Sequence, residues 1–122
     1  MAHANLHMAA GMAAATAVMV WPVVNAWRKE APMARPVAWL LLSSYALGLW
    51  ALIPNLATSA GFSPAIHRAG WANLFLGHAW IDRRNDGGLL VGELAMVAIF
   101  AFHYAVLVLA LARARRLRDA AS

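Results

Sequence analysis

The fold of this chain is decided by an apolar stretch at residues 89–111, which reads LLVGELAMVAIFAFHYAVLVLAL and contains a single formal charge, Glu93. A helix of about 20 apolar residues is long enough to cross the hydrocarbon core of a bilayer. Two further stretches, Ala4–Ala26 and Val37–Thr58, are as long and contain no charged residue. The sequence therefore predicts an all-α integral membrane protein with three transmembrane helices.

The composition agrees with a chain that is surrounded by lipid. Of the 122 residues, 63% are hydrophobic and 12% are charged, whereas soluble domains average about 25% charged residues. We expect a single membrane bundle and no nucleic-acid partner, because the net charge of +5 comes from basic residues at the ends of the spans. The absence of cysteine excludes disulfides and thiolate metal sites.

The distribution of basic residues predicts the orientation of the bundle. Basic residues concentrate in the cytoplasmic loops of membrane proteins. Seven of them follow span one or span three, and three lie in the loop between spans two and three. We therefore predict a bacterial inner-membrane protein with its N-terminus outside and its C-terminus in the cytoplasm. The first span lacks the basic start of a secretory signal, so we expect it to be retained.

The outer loop between spans two and three is long, and such loops are usually functional or internally structured. Ser63 and Pro64 are typical of a helix N-cap and first turn. Residues 64–82 mix large apolar side chains with histidine and arginine, which predicts an amphipathic helix lying in the outer interface. Within span two, Pro54 removes a backbone donor and should bend the helix.

Five histidines offer the best candidate chemistry, and haem b held by two of them is one hypothesis. At 1.5 Å per residue, His103 lies roughly 15 Å deeper than His7, which excludes that pair as ligands of one iron. His67 and His78 would be about 16 Å apart along a continuous loop helix, so we expect that they cannot share a metal.

Three candidate sites remain. At the outer surface, His3, His7, Met8 and Glu93 could hold copper or another transition ion. His7 and His78 could instead hold haem b. Deeper in the bundle, His103 and Tyr45 could bind a quinone headgroup, or they could serve as polar glue between helices. The alternative for the outer group is interfacial polar residues bonded to one another and to water, with Glu93 paired to Arg83 or Arg84.

No catalytic motif is present, so we do not expect an enzyme. Span one is rich in small residues, and Gly11 with Ala15 would form a seam for close helix packing. That seam and the six tryptophans favour an accessory or anchor subunit of a larger, bioenergetic membrane complex, with other subunits or a second copy as partners. The alternatives are a redox protein that binds haem b or quinone, and a metal-handling protein.

Overall fold

The computed structural model describes residues 4–84 and 89–120, and every regular element within those ranges is helical. Helix α1 covers Ala4–Arg28, α2 covers Ala34–Ala51, and α3 covers Ile53–Ser59. Two short 3₁₀ helices follow at Pro64–Arg68 and Gly70–Leu74. The chain then forms α4 at His78–Arg84 and the long helix α5 at Leu89–Asp119.

Two helices are long and apolar enough to cross a membrane, and a third crossing is formed if a bent pair counts as one span. The two are α1 and residues Leu90–Asp119 of α5. The pair is α2 with α3, which meet at an angle of 47°. The bend confirms the prediction made for Pro54, which lies at the start of α3. The chain is therefore all-helical, with two or three candidate membrane spans.

Helices α1 and α2 form an antiparallel hairpin whose crossing point is made of glycine. A Cβ atom added to Gly11 would lie 2.5 Å from the Leu47 carbonyl oxygen and 2.8 Å from the Gly48 Cα. A Cβ atom added to Gly48 would lie 2.8 Å from the Met12 Cγ. All three distances are below van der Waals contact, so the two backbones approach this closely only because neither residue has a side chain.

Helix α5 packs mainly along α1. Gly92 allows this approach, because a Cβ atom there would lie 3.1 Å from the backbone nitrogen of Leu6. At the other end of the bundle, Val106 and Ala110 of α5 contact a buried cluster formed by Val23, Met33, Val37 and Leu40. Only 11% of the most apolar 18-residue stretch of α5 is buried within the protein. Its outward apolar surface suits a lipid environment and would be costly in water.

The outer loop differs from the single helix that the sequence predicts for residues 64–82. Ser63 does cap the segment, since its hydroxyl accepts a hydrogen bond from the Ala65 amide at 3.3 Å. The helical segment is then interrupted at two places. Ala69 is extended, with φ −65° and ψ 138°, and Leu76 and Gly77 have φ values of 55° and 72°. A left-handed pair of residues cannot continue a right-handed helix, so the segment folds back on itself.

The glycine crossing predicts a large effect from one added methyl group. Gly11→Ala should destabilise the hairpin by about 1–3 kcal/mol, because the new Cβ meets backbone atoms that cannot rotate away. Thermal unfolding in mild detergent measures this effect. Gly70→Ala is the matched control, since no described atom lies within 4 Å of the added Cβ. Equal melting temperatures for the two variants would contradict the tight crossing.

Candidate functional site

Three histidines and one aspartate converge at the end of the bundle where α1 begins. His7 comes from α1, His67 from the first 3₁₀ helix, and His78 and Asp82 from α4. Their exposed fractions are 1%, 6%, 0% and 7% respectively. We call these four residues the His–Asp cluster. Charged and polar groups buried to this extent require compensating partners, so their mutual geometry is informative.

The broken loop brings His67 and His78 together. His67 Nδ1 lies 2.7 Å from His78 Nε2, so the separation of the two histidines expected from the sequence was wrong. That expectation depended on a continuous helix, and the breaks at Ala69 and at Gly77 remove it. His78 and Asp82 are one helical turn apart on α4, a spacing that puts both side chains on the same face.

The cluster has the dimensions of a metal-ligand set. His7 Nε2 lies 3.1 Å from Asp82 Oδ1. Asp82 Oδ2 lies 3.5 Å from His67 Nδ1 and 3.8 Å from His78 Nε2. Ligand atoms of His7, His78 and Asp82 all fall within 4.8 Å of one another. In tetrahedral zinc sites, ligands about 2.0–2.1 Å from the ion are roughly 3.3 Å apart.

The hydrogen bonds around His67 and His78 form one continuous network. Thr58 Oγ1 lies 3.1 Å from the Pro54 carbonyl oxygen and 2.7 Å from His67 Nε2, and its single proton is donated to one of these two acceptors at a time. On the other side, His78 Nδ1 donates to the Ala51 carbonyl at 3.3 Å. That carbonyl lies where the break between α2 and α3 interrupts the helical ladder.

When the Thr58 hydroxyl donates to His67 Nε2, His67 Nδ1 donates to His78 Nε2 at 2.7 Å, and both rings are neutral and hydrogen-bonded. In that arrangement His78 uses its Nε2 lone pair on His67, and the same nitrogen lies 3.8 Å from Asp82 Oδ2. Burial, with repulsion from His7, lowers the pKa of His78 from 6.5 to about 4, although Asp82 opposes the shift. A proton on His78 is therefore disfavoured at neutral pH.

The same geometry is unfavourable for haem. The rings of His7 and His78 are stacked, with centroids 3.6 Å apart and planes 16° apart. Two axial histidines of one haem lie on opposite faces of the porphyrin, so these rings would have to separate to admit it. A small ion at the edge of the rings needs no such separation, because it would bind the nitrogens that already converge on Asp82.

The metal ligands predicted from the sequence are placed in different positions. His7 belongs to the His–Asp cluster, whereas Glu93 is exposed and accepts a hydrogen bond from Asn5 Nδ2 at 2.6 Å. Met8 lies at the glycine crossing, where its Cγ would be 3.3 Å from a Cβ on Gly48. His3 lies outside the described residues. The carboxylate that joins the histidines is Asp82, which the sequence analysis did not select.

The deeper candidate, His103, belongs to a second polar group. Thr16 Oγ1 lies 2.8 Å from His103 Nε2 and 3.0 Å from Ser44 Oγ, so one hydrogen-bonded group joins α5, α1 and α2. The Tyr45 ring is 6.2 Å from the His103 ring. His7 and His103 lie in separate groups, as the depth argument predicts. Interhelical hydrogen bonds of this kind stabilise membrane bundles, and quinone binding at this level stays a prediction.

Comparison with known proteins gives no relative from which a role could be transferred. No protein-family model, curated protein or solved structure matches the chain. The function has to be inferred from the geometry of its own residues.

The lowered pKa of His78 predicts how the metal-free protein responds to acid. Between pH 6.5 and about 4 the unfolded chain binds a proton at residue 78 that the folded protein does not. Stability should therefore fall as the pH is lowered through this window. Thermal unfolding of chelator-treated protein between pH 7 and 4 measures this, and His78→Asn should show a flatter profile. Identical pH profiles for both proteins would refute the assignment.

Proposed function

We propose that the protein is a small membrane protein that holds a divalent transition-metal ion in the His–Asp cluster. His7, His78 and Asp82 are the primary ligands, and we propose His67, whose Nδ1 lies 3.5 Å from Asp82 Oδ2, as the fourth. The observation that carries this proposal is the mutual approach of the ligand atoms of His7, His78 and Asp82 in a buried site. Two loop residues and one residue far away in sequence meet there, which a merely interfacial set of polar side chains does not require.

The donor set indicates the kind of ion. Three imidazoles and a carboxylate suit zinc or copper(II), while the soft ligands that select copper(I) are thiolates and thioethers. His67 and His78 also have hydrogen-bond partners at their other ring nitrogens. His67 Nε2 lies 2.7 Å from Thr58 Oγ1, and His78 Nδ1 donates to the Ala51 carbonyl. Such partners fix the orientation of ligating histidines and raise their affinity.

Four protein ligands favour a holding role over catalysis. Catalytic zinc sites keep one coordination position open for water or substrate, whereas structural sites are closed by four protein ligands. An ion in the His–Asp cluster would connect α1 to the outer loop through bonds at both ends. We therefore propose a non-enzymatic metal site. The bound ion either stabilises this end of the bundle or changes its conformation as a sensor of the metal.

The proposal includes the finer topology. We propose three spans, with α2 and α3 as one bent crossing, and an orientation in a bacterial inner membrane with the N-terminus and the His–Asp cluster on the outer side. The excess of basic residues at the opposite end supports this orientation. In this arrangement the short helices between residues 64 and 84 lie in the outer interface. A role as an accessory subunit of a bioenergetic complex stays a second prediction of the sequence.

Metal titration tests the site directly. Protein stripped with chelator in mild detergent should bind one Zn²⁺ per chain in equilibrium dialysis followed by elemental analysis. Removing one ligand leaves an incomplete site, so His78→Asn and Asp82→Asn should each weaken binding at least about tenfold, by analogy with the smaller losses seen for outer-shell changes.

Two control variants separate this site from the others. Glu93→Gln and His103→Gln should bind Zn²⁺ as the unmodified protein does, because neither residue belongs to the His–Asp cluster. Loss of binding in Glu93→Gln with retention in Asp82→Asn would instead support the ligand set predicted from the sequence. No binding by the unmodified protein would refute the metal proposal.

Single-cysteine labelling tests the orientation, because the native chain has no cysteine. In intact cells, Ser63→Cys should react with a membrane-impermeant maleimide, since residue 63 lies in the loop proposed to face outside. Ala120→Cys should react only after the cells are permeabilised. Labelling of both positions from the same side would contradict three crossings.

A further inference from the structure

A second candidate site lies at the opposite end of the bundle from the His–Asp cluster. A groove of about 630 Å³ separates the end of α1 from the last turns of α5. Most of its polar lining is arginine. We call it the basic groove, and its lining residues are Trp27, Arg28, Glu30, Leu109, Ala112, Arg113, Arg116 and Leu117.

Arg113 is held in the wall of the basic groove. Its Nη1 donates to the Trp27 carbonyl at 3.0 Å, and its guanidinium lies 4.9 Å from the centroid of the Trp27 ring. Its Nε is buried and has no hydrogen-bond partner among the residues that the structure describes. A guanidinium has five N–H donors, so Arg113 has unused donors in a fixed position.

The charge of the basic groove favours an anion. Arg28, Arg113 and Arg116 line it together with one acidic residue, Glu30, which leaves an excess of positive charge. Arginine is the side chain best suited to bind phosphate through two parallel hydrogen bonds. Arg28 and Arg116 are exposed, and the Arg28 guanidinium lies 5.8 Å from the centroid of the Trp21 ring. Both side chains are therefore accessible to a bound group.

An apolar groove continues from the basic groove along α1 and α5. It has a volume of about 250 Å³ and shares Trp27, Arg28 and Leu109 with the basic groove. Its other lining residues are all apolar: Val20, Val23, Val24, Met33, Phe102, Val106. From Arg28 to Val20 it extends about 12 Å along α1. The combined site therefore has an anion-binding part, the basic groove, and a hydrophobic part, the apolar groove.

The position of the basic groove matches the headgroup layer of a membrane. The apolar part of α5 ends at Ala112, and four arginines follow before Asp119. Trp27 beside the groove is typical of the membrane–water interface. Anything bound to the three arginines would lie at the level of phosphate groups, and the apolar groove would point towards the hydrocarbon core.

We propose that this end of the protein binds one anionic phospholipid. Its phosphate contacts Arg28, Arg113 and Arg116, and one acyl chain lies in the apolar groove between α1 and α5. Basic pockets between transmembrane helices on the cytoplasmic side are suited to acidic lipid headgroups. The apolar continuation distinguishes a lipid from a free phosphate ion, which has no use for it. The proposal is independent of the metal site.

Native mass spectrometry of the full chain in neutral detergent tests this proposal. With phosphatidylglycerol as the probe, one lipid should stay bound, and phosphatidylcholine should bind at least about tenfold more weakly. Arg116→Gln and Arg28→Gln should each weaken phosphatidylglycerol binding several-fold. Arg115→Gln is the matched control, because it removes the same charge from the same helix without lining the groove. Glu30→Gln should strengthen binding.

Three results would overturn the proposal. Equal losses in Arg115→Gln and Arg116→Gln would show general attraction to a basic surface. Competition by glycerol phosphate at the same concentration as the lipid would show that the apolar groove contributes nothing, which identifies a free-phosphate site. Unchanged lipid binding in Val106→Trp, whose larger side chain fills the apolar groove, would exclude an acyl chain there.

Discussion

The close crossing of α1 and α2 at Gly11 and Gly48 is the contact on which the remaining structure depends. It sets the register of the hairpin, because only these two positions let the backbones approach so closely. Once this crossing point is set, the residues that face each other on α1 and α2 on either side of it are also determined. His7 and Thr16 flank Gly11 on α1, while Ala51 and Ser44 flank Gly48 on α2.

Each of the two polar groups is assembled by this register. On one side of the crossing, Thr16 is hydrogen-bonded both to Ser44 and to His103 of α5. On the other side, the Ala51 carbonyl orients His78 while the ring of His7 stacks on it. A shift of the hairpin by one turn would separate both sets. The apolar surroundings make such a shift costly, since each group would leave buried polar atoms without partners.

Much of the architecture could be predicted from the sequence because lipid imposes simple rules. Charge-free length identified the helices, Pro54 identified the bend, and Gly11 identified a close-packing seam. The interior of the outer loop could not be predicted in the same way. Its apolar and polar pattern suits a helix, and the breaks at Ala69 and at Leu76–Gly77 depend on backbone conformations that are not visible as a periodic signal.

The same difference applies to the candidate site. His7 and His78 were paired from the sequence as candidate haem ligands, and the structure stacks their rings on each other, while any role in binding stays a prediction. Asp82 was not among the ligands predicted from the sequence. Its spacing of one helical turn from His78 was the available signal. His67 was excluded by a length argument that holds only for an unbroken helix.

The separation of His7 from Asp82 by 75 positions also has a consequence for biogenesis. The ribosome synthesises α1 long before the outer loop. His7 is therefore present before the other three residues of the His–Asp cluster have been made. The cluster is completed only when the loop has been synthesised and has reached the side where His7 resides. In the proposed metal site, binding of the ion is therefore a late event that follows insertion of the hairpin formed by α1 and α2.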